Sequence, residues 1–101
     1  MKETDISRAI VKMLSSLGHL VVRVQSGKVQ TSSGSWMQMA EKGCPDLICL
    51  SSGGVTTWLE VKTPIGSLNA DQKAWHERAK RNGHRVAVVR SPAEALAAVM
   101  A

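Results

Sequence analysis

Two short apolar segments carry charge where a buried strand should carry none: Gly43-Cys44-Pro45-Asp46-Leu47-Ile48-Cys49-Leu50 and Trp58-Leu59-Glu60-Val61-Lys62. Both read as strands. An aspartate stands at the entrance of the first run, and a glutamate and a lysine lie inside the second. Ionised groups at such positions are costly unless they are paired or bound to metal. The Gly53-Gly54 pair between the runs predicts an antiparallel hairpin. Strand alternation puts Glu60 and Lys62 on one face and Val61 on the other. Asp46 meets Glu60 on that face in only one register, which leaves Ser52-Gly53-Gly54 as the loop and sets Ser51 opposite Val55. Such a loop ends in a left-handed residue, and Gly54 suits that place. A two-residue Gly-Gly turn shifts the register by one and separates the carboxylates, so the chemistry favours the three-residue loop or a compensating bulge.

Directly opposed residues have Cβ atoms about 5 Å apart. Two carboxylates that close repel unless a cation lies between them. Hard oxygen ligands select Mg²⁺ or Mn²⁺ over zinc. A lysine beside such a pair orients a water or stabilises charge developing on a phosphate, so Lys62 is the candidate for that role. The chemistry this constellation points to is metal-assisted phosphodiester hydrolysis.

At these residues the chain resembles the PD-(D/E)xK nucleases, with Pro45-Asp46 as the first half of the motif and Glu60-Val61-Lys62 as the second. The wider pattern is similar to the VRR-NUC family, the virus-type replication-repair nucleases. Gly43-Cys44-Pro45-Asp46-Leu47 looks like its G-x-P-D-L. Glu60-Val61-Lys62, followed by Gly66, Leu68 and Gln72-Lys73-Ala74-Trp75, looks like its E-V-K…Q-x-x-W. The resemblance runs from the first helix to about Val89. It implies a restriction-endonuclease-like core and a Mg²⁺- or Mn²⁺-dependent endodeoxyribonuclease. Asp46, Glu60 and the Val61 carbonyl are then the expected metal ligands, and Lys62 and Gln72 the further catalytic residues. An acidic residue of the first helix approaches the metal in this family, which makes Glu3 a candidate; its other reading is a helix-start acid that complements the dipole.

The 101 residues allow one domain, 1–101. At 44% hydrophobic the chain has enough apolar residues for a core, although it contains no Phe or Tyr. A net charge of +5 and a pI near 9.7 fit a polyanionic partner, and equally fit ordinary solubilising charge. No stretch is long and apolar enough to span a membrane, and the N-terminal residues carry no signal-peptide pattern. Two cysteines without such a signal point to a reducing cytoplasm. Cys44 and Cys49 lack the further cysteines or spaced histidines that a zinc site needs and read as small buried residues.

In chain order, Ile6, Ile10, Met13, Leu14 and Leu17 predict a helix over about 3–17, stopped by Gly18. Residues 20–25 are β-branched and predict a strand. Residues 26–43 read as a long connection rich in Ser, Gly, Gln and Lys. Within it, Ser26-Gly27-Lys28 and Lys42 suit backbone phosphate. Trp36, Met37 and Met39 read there as local packing, with a dimer surface or a wedge into unstacked bases as the sharper alternative. Asn69 and Gln72 have the spacing of a capping box at the start of a helix over 69–82, so Gln72 has a structural reading beside its expected catalytic one. Trp75 reads as core. Lys73, Arg78, Lys80 and Arg81 make this helix basic, and Arg78, Lys80 and Arg81 join Lys28 and Lys42 as DNA-binding candidates. A strand over 85–90 and a helix opening on Ser91-Pro92-Ala93-Glu94 complete the chain. His19, His76 and His84 form no ligand or triad spacing and read as surface or packing residues.

The expected fold is therefore α/β, in the order αβββαβ(α), with a mixed four-stranded sheet flanked by helices. The expected partner is DNA, branched as a four-way junction or a flap. A homodimer that resolves Holliday junctions is the first expectation, because symmetric cutting of a junction takes two sites in fixed relation. A monomeric flap or nicking nuclease is its rival. A DNA-binding or assembly module that keeps the fold without turnover is the alternative class, set against the presence of Asp46, Glu60 and Lys62 together.

Overall fold

The computed structural model describes residues 1–25, 28–38 and 40–101. Helix α1 (Glu3–Ser16) buries Ile6, Ile10 and Leu14, which recur on one helical stripe. Strand β1 (Leu20–Arg23) follows, then the short strands β2 (Lys28–Gln30) and β3 (Trp36–Gln38), then β4 (Leu47–Leu50) and β5 (Thr56–Val61). Helix α2 (Ala70–Arg81), strand β6 (Arg85–Val89) and helix α3 (Pro92–Met100) complete the chain. The main sheet has four strands in the order β1-β4-β5-β6. Its first three strands form an antiparallel meander, and β5 and β6 are parallel with α2 between them in sequence. The fold class is the expected one.

The alternation of β4 and β5 assigns the two faces of the sheet. Leu47, Cys49, Leu59 and Val61 point into the main core with Val89, against α1 and α3. Full burial of a Leu, Ile or Val side chain contributes about 1.5–3 kcal/mol, so this layer, rich in such residues, holds the sheet to the two helices. Asp46, Ile48, Trp58 and Glu60 face the other way, the side on which His76 of α2 reaches Glu60. Helix α3 starts as its sequence predicts, with Ser91 Oγ accepting from the Glu94 N–H at 3.2 Å. Its far end is held by the Arg85 guanidinium, which donates to the carbonyls of Ala98 and Ala101.

The connection after β1 differs from expectation. Instead of running without structure, it contains the antiparallel pair β2–β3, with Val29 opposite Met37. The Thr31 N–H donates to the Ser35 carbonyl at 2.7 Å across a tight turn. Strands of three residues give too little alternation to read in the sequence, and the Ser-rich turn hides the hairpin. Trp36 and Met37 are 66% and 50% exposed, so they are not packed locally as expected. The expectations placed on Ser26, Gly27 and Met39 lie outside the described residues. No helix among the described residues is long and apolar enough to cross a membrane.

Candidate active site

The hairpin loop sets the geometry of the site. Ser51 donates to the Val55 carbonyl at 2.9 Å, and Gly54 has φ +84, a conformation that L side chains rarely adopt. The loop is thus Ser52-Gly53-Gly54, and Leu47 pairs with Leu59 and Ile48 with Trp58. The same register carried one step outward sets Asp46 opposite Glu60. Asp46 Oδ2 accepts from the Val61 N–H at 2.8 Å, which anchors the carboxylate to the backbone of β5.

Gly43 brings the Pro45-Asp46 corner to this place. Its φ is +87, and a Cβ there would lie 2.2 Å from the Asp71 carbonyl oxygen. Only glycine lets the loop pass this close to the first turn of α2. That turn is fixed by a reciprocal capping box: Asn69 Oδ1 accepts from the Gln72 N–H, and Gln72 Oε1 accepts from the Asn69 N–H. Gln72 therefore commits its carbonyl oxygen to the helix start beside the Gly43 corner.

Glu60 is 1% exposed. Burial, foremost, pushes its carboxyl up to about 9, aided by the hydrogen bond and the charge of Asp46 and opposed by the Lys62 ammonium. The charge of Glu3 adds a smaller push in the same direction. Buried beside Asp46, Glu60 therefore keeps its proton at neutral pH. A divalent cation could replace that proton. The donor set fits Mg²⁺ or Mn²⁺: hard oxygens from two carboxylates, with the remaining positions open to water and substrate oxygens. Among the described residues no three His, Cys, Asp or Glu side chains form a metal-ligand group.

His76 is the residue that the sequence did not reveal. It is 4% exposed, and its Nε2 lies 3.0 Å from Glu60 Oε1. Burial lowers its pKa, and the positive charges of Lys80 and Lys62 lower it further. The contact is thus a hydrogen bond of a neutral imidazole and not an ion pair. The only signal in the sequence is that His76 follows Gln72 by four positions, which places both on one face of α2.

One cleft opens at Asp46 and another runs along α2. The first, about 530 Å³, is lined by Glu3, Thr4, Ser7, Arg23, Val24, Gln25, Asp46 and Val61. It brings Glu3 into the same space as Asp46. It also adds Arg23, a cation that the sequence reading passed over because it ends an ordinary β-branched run. The second cleft, about 520 Å³, lies along α2 and contains Lys42 and Arg78 together with Trp58 and Trp75. Trp75 is thus half-buried at a cleft and not enclosed in the core as expected. Lys28, on β2, and Lys80 and Arg81, on α2, are exposed and line neither cleft. Lys62 is half-buried at the end of β5. The turn that follows it is clamped by Arg90 Nη1, which donates to the carbonyls of Thr63 and Gly66. Cys44 and Cys49 are free and buried, as expected.

A solved structure described as a VRR-NUC domain is similar to this chain, with a TM-score of 0.71 and 26% identity, over 97% of this chain and 94% of that one. No curated protein sequence matches. The family model described as VRR-NUC domain matches residues 2–93, a span that takes in the Gly43 corner, both carboxylates, Lys62 and His76. With a family model that matches residues 2–93 and a fold shared with a solved VRR-NUC domain, the chain has a nuclease-type fold and belongs to the VRR-NUC family.

Proposed function

We propose that this domain is a structure-selective DNA endonuclease that uses Mg²⁺ or Mn²⁺ held by Asp46 and Glu60. The observation that carries the reading is the opposed pair itself: Asp46 anchored on the Val61 N–H at 2.8 Å, facing a buried Glu60 whose carboxyl is held well above the usual carboxylate range. The chemistry that the cation supplies when bound is neutralisation of the phosphate and activation of a water. The remaining work falls to the chain. The Val61 carbonyl is the third proposed metal ligand, and Glu3 acts from across the first cleft. Lys62, on the face of Glu60, stabilises charge that develops on the phosphate. His76, protonated on Nε2, donates to Glu60 Oε1 and holds that carboxylate toward Asp46. Gln72 meets the phosphate through its amide nitrogen, its oxygen being held in the cap. Arg78 and Lys42 at the second cleft, with Lys28, Lys80 and Arg81 further out, take the DNA backbone and make binding strongly salt-dependent.

Branched DNA is the proposed substrate, and a homodimer that resolves four-way junctions is the proposed assembly. The exposed Trp36 and Met37 on β3, and Leu20 at 62% and Val22 at 39% exposure on the edge strand β1, support a second copy. Cleavage of linear, flap and four-way DNA should be compared with and without Mg²⁺ or Mn²⁺, for the wild type, Asp46→Asn and Glu60→Gln. Cutting should need the cation and vanish in both variants. Cutting that survives either substitution overturns the site, and a wild type that binds DNA without cutting it leaves the non-catalytic module. A monomer by light scattering that nicks a junction only once removes the resolvase reading and leaves the nuclease.

A further inference from the structure

The second cleft has a chemistry that phosphate binding does not explain. Trp58 and Trp75 meet there with ring centroids 5.1 Å apart and planes tilted by 57°. Tilted rings do not cover each other's faces, and both are only half-buried. A cleft of about 520 Å³ is within the range of small-molecule sites. Its polar rim carries both signs of charge, Lys42 and Arg78 against Glu41 and Asp71, and adds the Asn82 amide. A rim of mixed charge suits a neutral, flat group with donors and acceptors at its edge better than it suits an anion. Trp58 shares the face of Glu60 two residues along β5, about 7 Å away at the rise of a strand. A single nucleotide of unstacked strand bridges that separation.

We propose that this cleft takes the base of an unpaired nucleotide, next to the phosphate that the Asp46–Glu60 site addresses. The base stacks on Trp58, and Arg78 lies over the flanking backbone. This reading rests on the nuclease assignment and deepens it. A base inside a duplex is not available to stack on an indole, so the cleft selects DNA with unpaired nucleotides. Stacking is indifferent to which base is stacked, so the selection is for structure and not for sequence.

The test is binding of flap DNA without added divalent cation, with 2-aminopurine placed at one nucleotide at a time across the branch. Fluorescence should be quenched at one unpaired position and little elsewhere. Trp58→Ala should abolish that quench and weaken flap binding about tenfold, the value of one stacked base, while leaving blunt duplex binding unchanged. Trp58→Phe, which keeps a ring and serves as the folding control, should retain most of both. Quenching that is absent or spread evenly over all positions overturns the proposal, as does an equal loss of flap and duplex affinity in Trp58→Ala. A dimer that dissociates in Trp58→Ala, with no quench in the wild type, assigns the cleft to a second copy instead and also overturns it. Because no step requires cutting, a failed nuclease reading and a failed base cleft give different results.

Discussion

Removing divalent cation and raising the pH from about 6.5 to 8 should destabilise the fold through Glu60. In the unfolded chain this carboxyl ionises near its ordinary 4.5, whereas in the folded chain it does so near 9. Across the window the folded state keeps a proton that the unfolded state has released. Its contribution is therefore full below the unfolded value and is lost as pH rises toward the folded one. One ionisable group gives a slope of at most about 1.4 kcal/mol per pH unit, which makes about 2 kcal/mol over the window. That is a sizeable share of the roughly 5–15 kcal/mol that stabilises a typical domain. Other groups set the edges of the window. His76 is lowered from 6.5, so its contribution is lost as pH falls and changes little above that value. Cys44 and Cys49 are raised from 9.0 by burial, and their effect enters only as the unfolded thiols begin to ionise. Urea denaturation in chelator at several pH values across the window, for wild type and Glu60→Gln, isolates the carboxyl. The wild type should lose about 2 kcal/mol relative to the variant, and excess Mg²⁺ should reverse the loss, because a cation binds the ionised pair. Equal pH slopes in the two proteins would refute the account of a proton held on Glu60.

Lys62→Ala should lower single-turnover cleavage by orders of magnitude and change DNA affinity modestly, and equal rates would reduce Lys62 to an ion-pair partner. Gly43→Ala should cost about 1–3 kcal/mol from the left-handed backbone alone, with a further cost from the clash at the Asp71 carbonyl. A melting temperature unchanged from wild type would mean that the corner moves freely. His76→Gln, which can still donate to Glu60, should retain Mn²⁺ affinity measured by calorimetry, whereas His76→Phe should weaken it about 10- to 100-fold. Equal affinity in both variants would show that His76 fills space and does not position the carboxylate.

The parts of this protein that rest on local rules were legible along the chain. The Gly-Gly loop and the opposed charges implied one hairpin register, and the structure has that register. The caps at Asn69 and Ser91, the stripe of Ile6, Ile10 and Leu14, and the strand order followed from period, cap chemistry and connection length. The β2–β3 hairpin was not legible, because three residues are too few to show alternation. The relations between elements, which no spacing encodes, arise only with packing. His76 reads as an unremarkable helical residue until α2 lies on the sheet and brings its ring to Glu60. Gly43 reads as a turn residue until the loop is seen against the Asp71 carbonyl. Trp58 and Trp75, 17 positions apart in sequence, become one cleft only when strand and helix pack. Local propensity is set by neighbours along the chain, whereas burial, proton sharing and close approach are set by neighbours in space, and these exist only after the core between helices α1 and α3 and the sheet has closed.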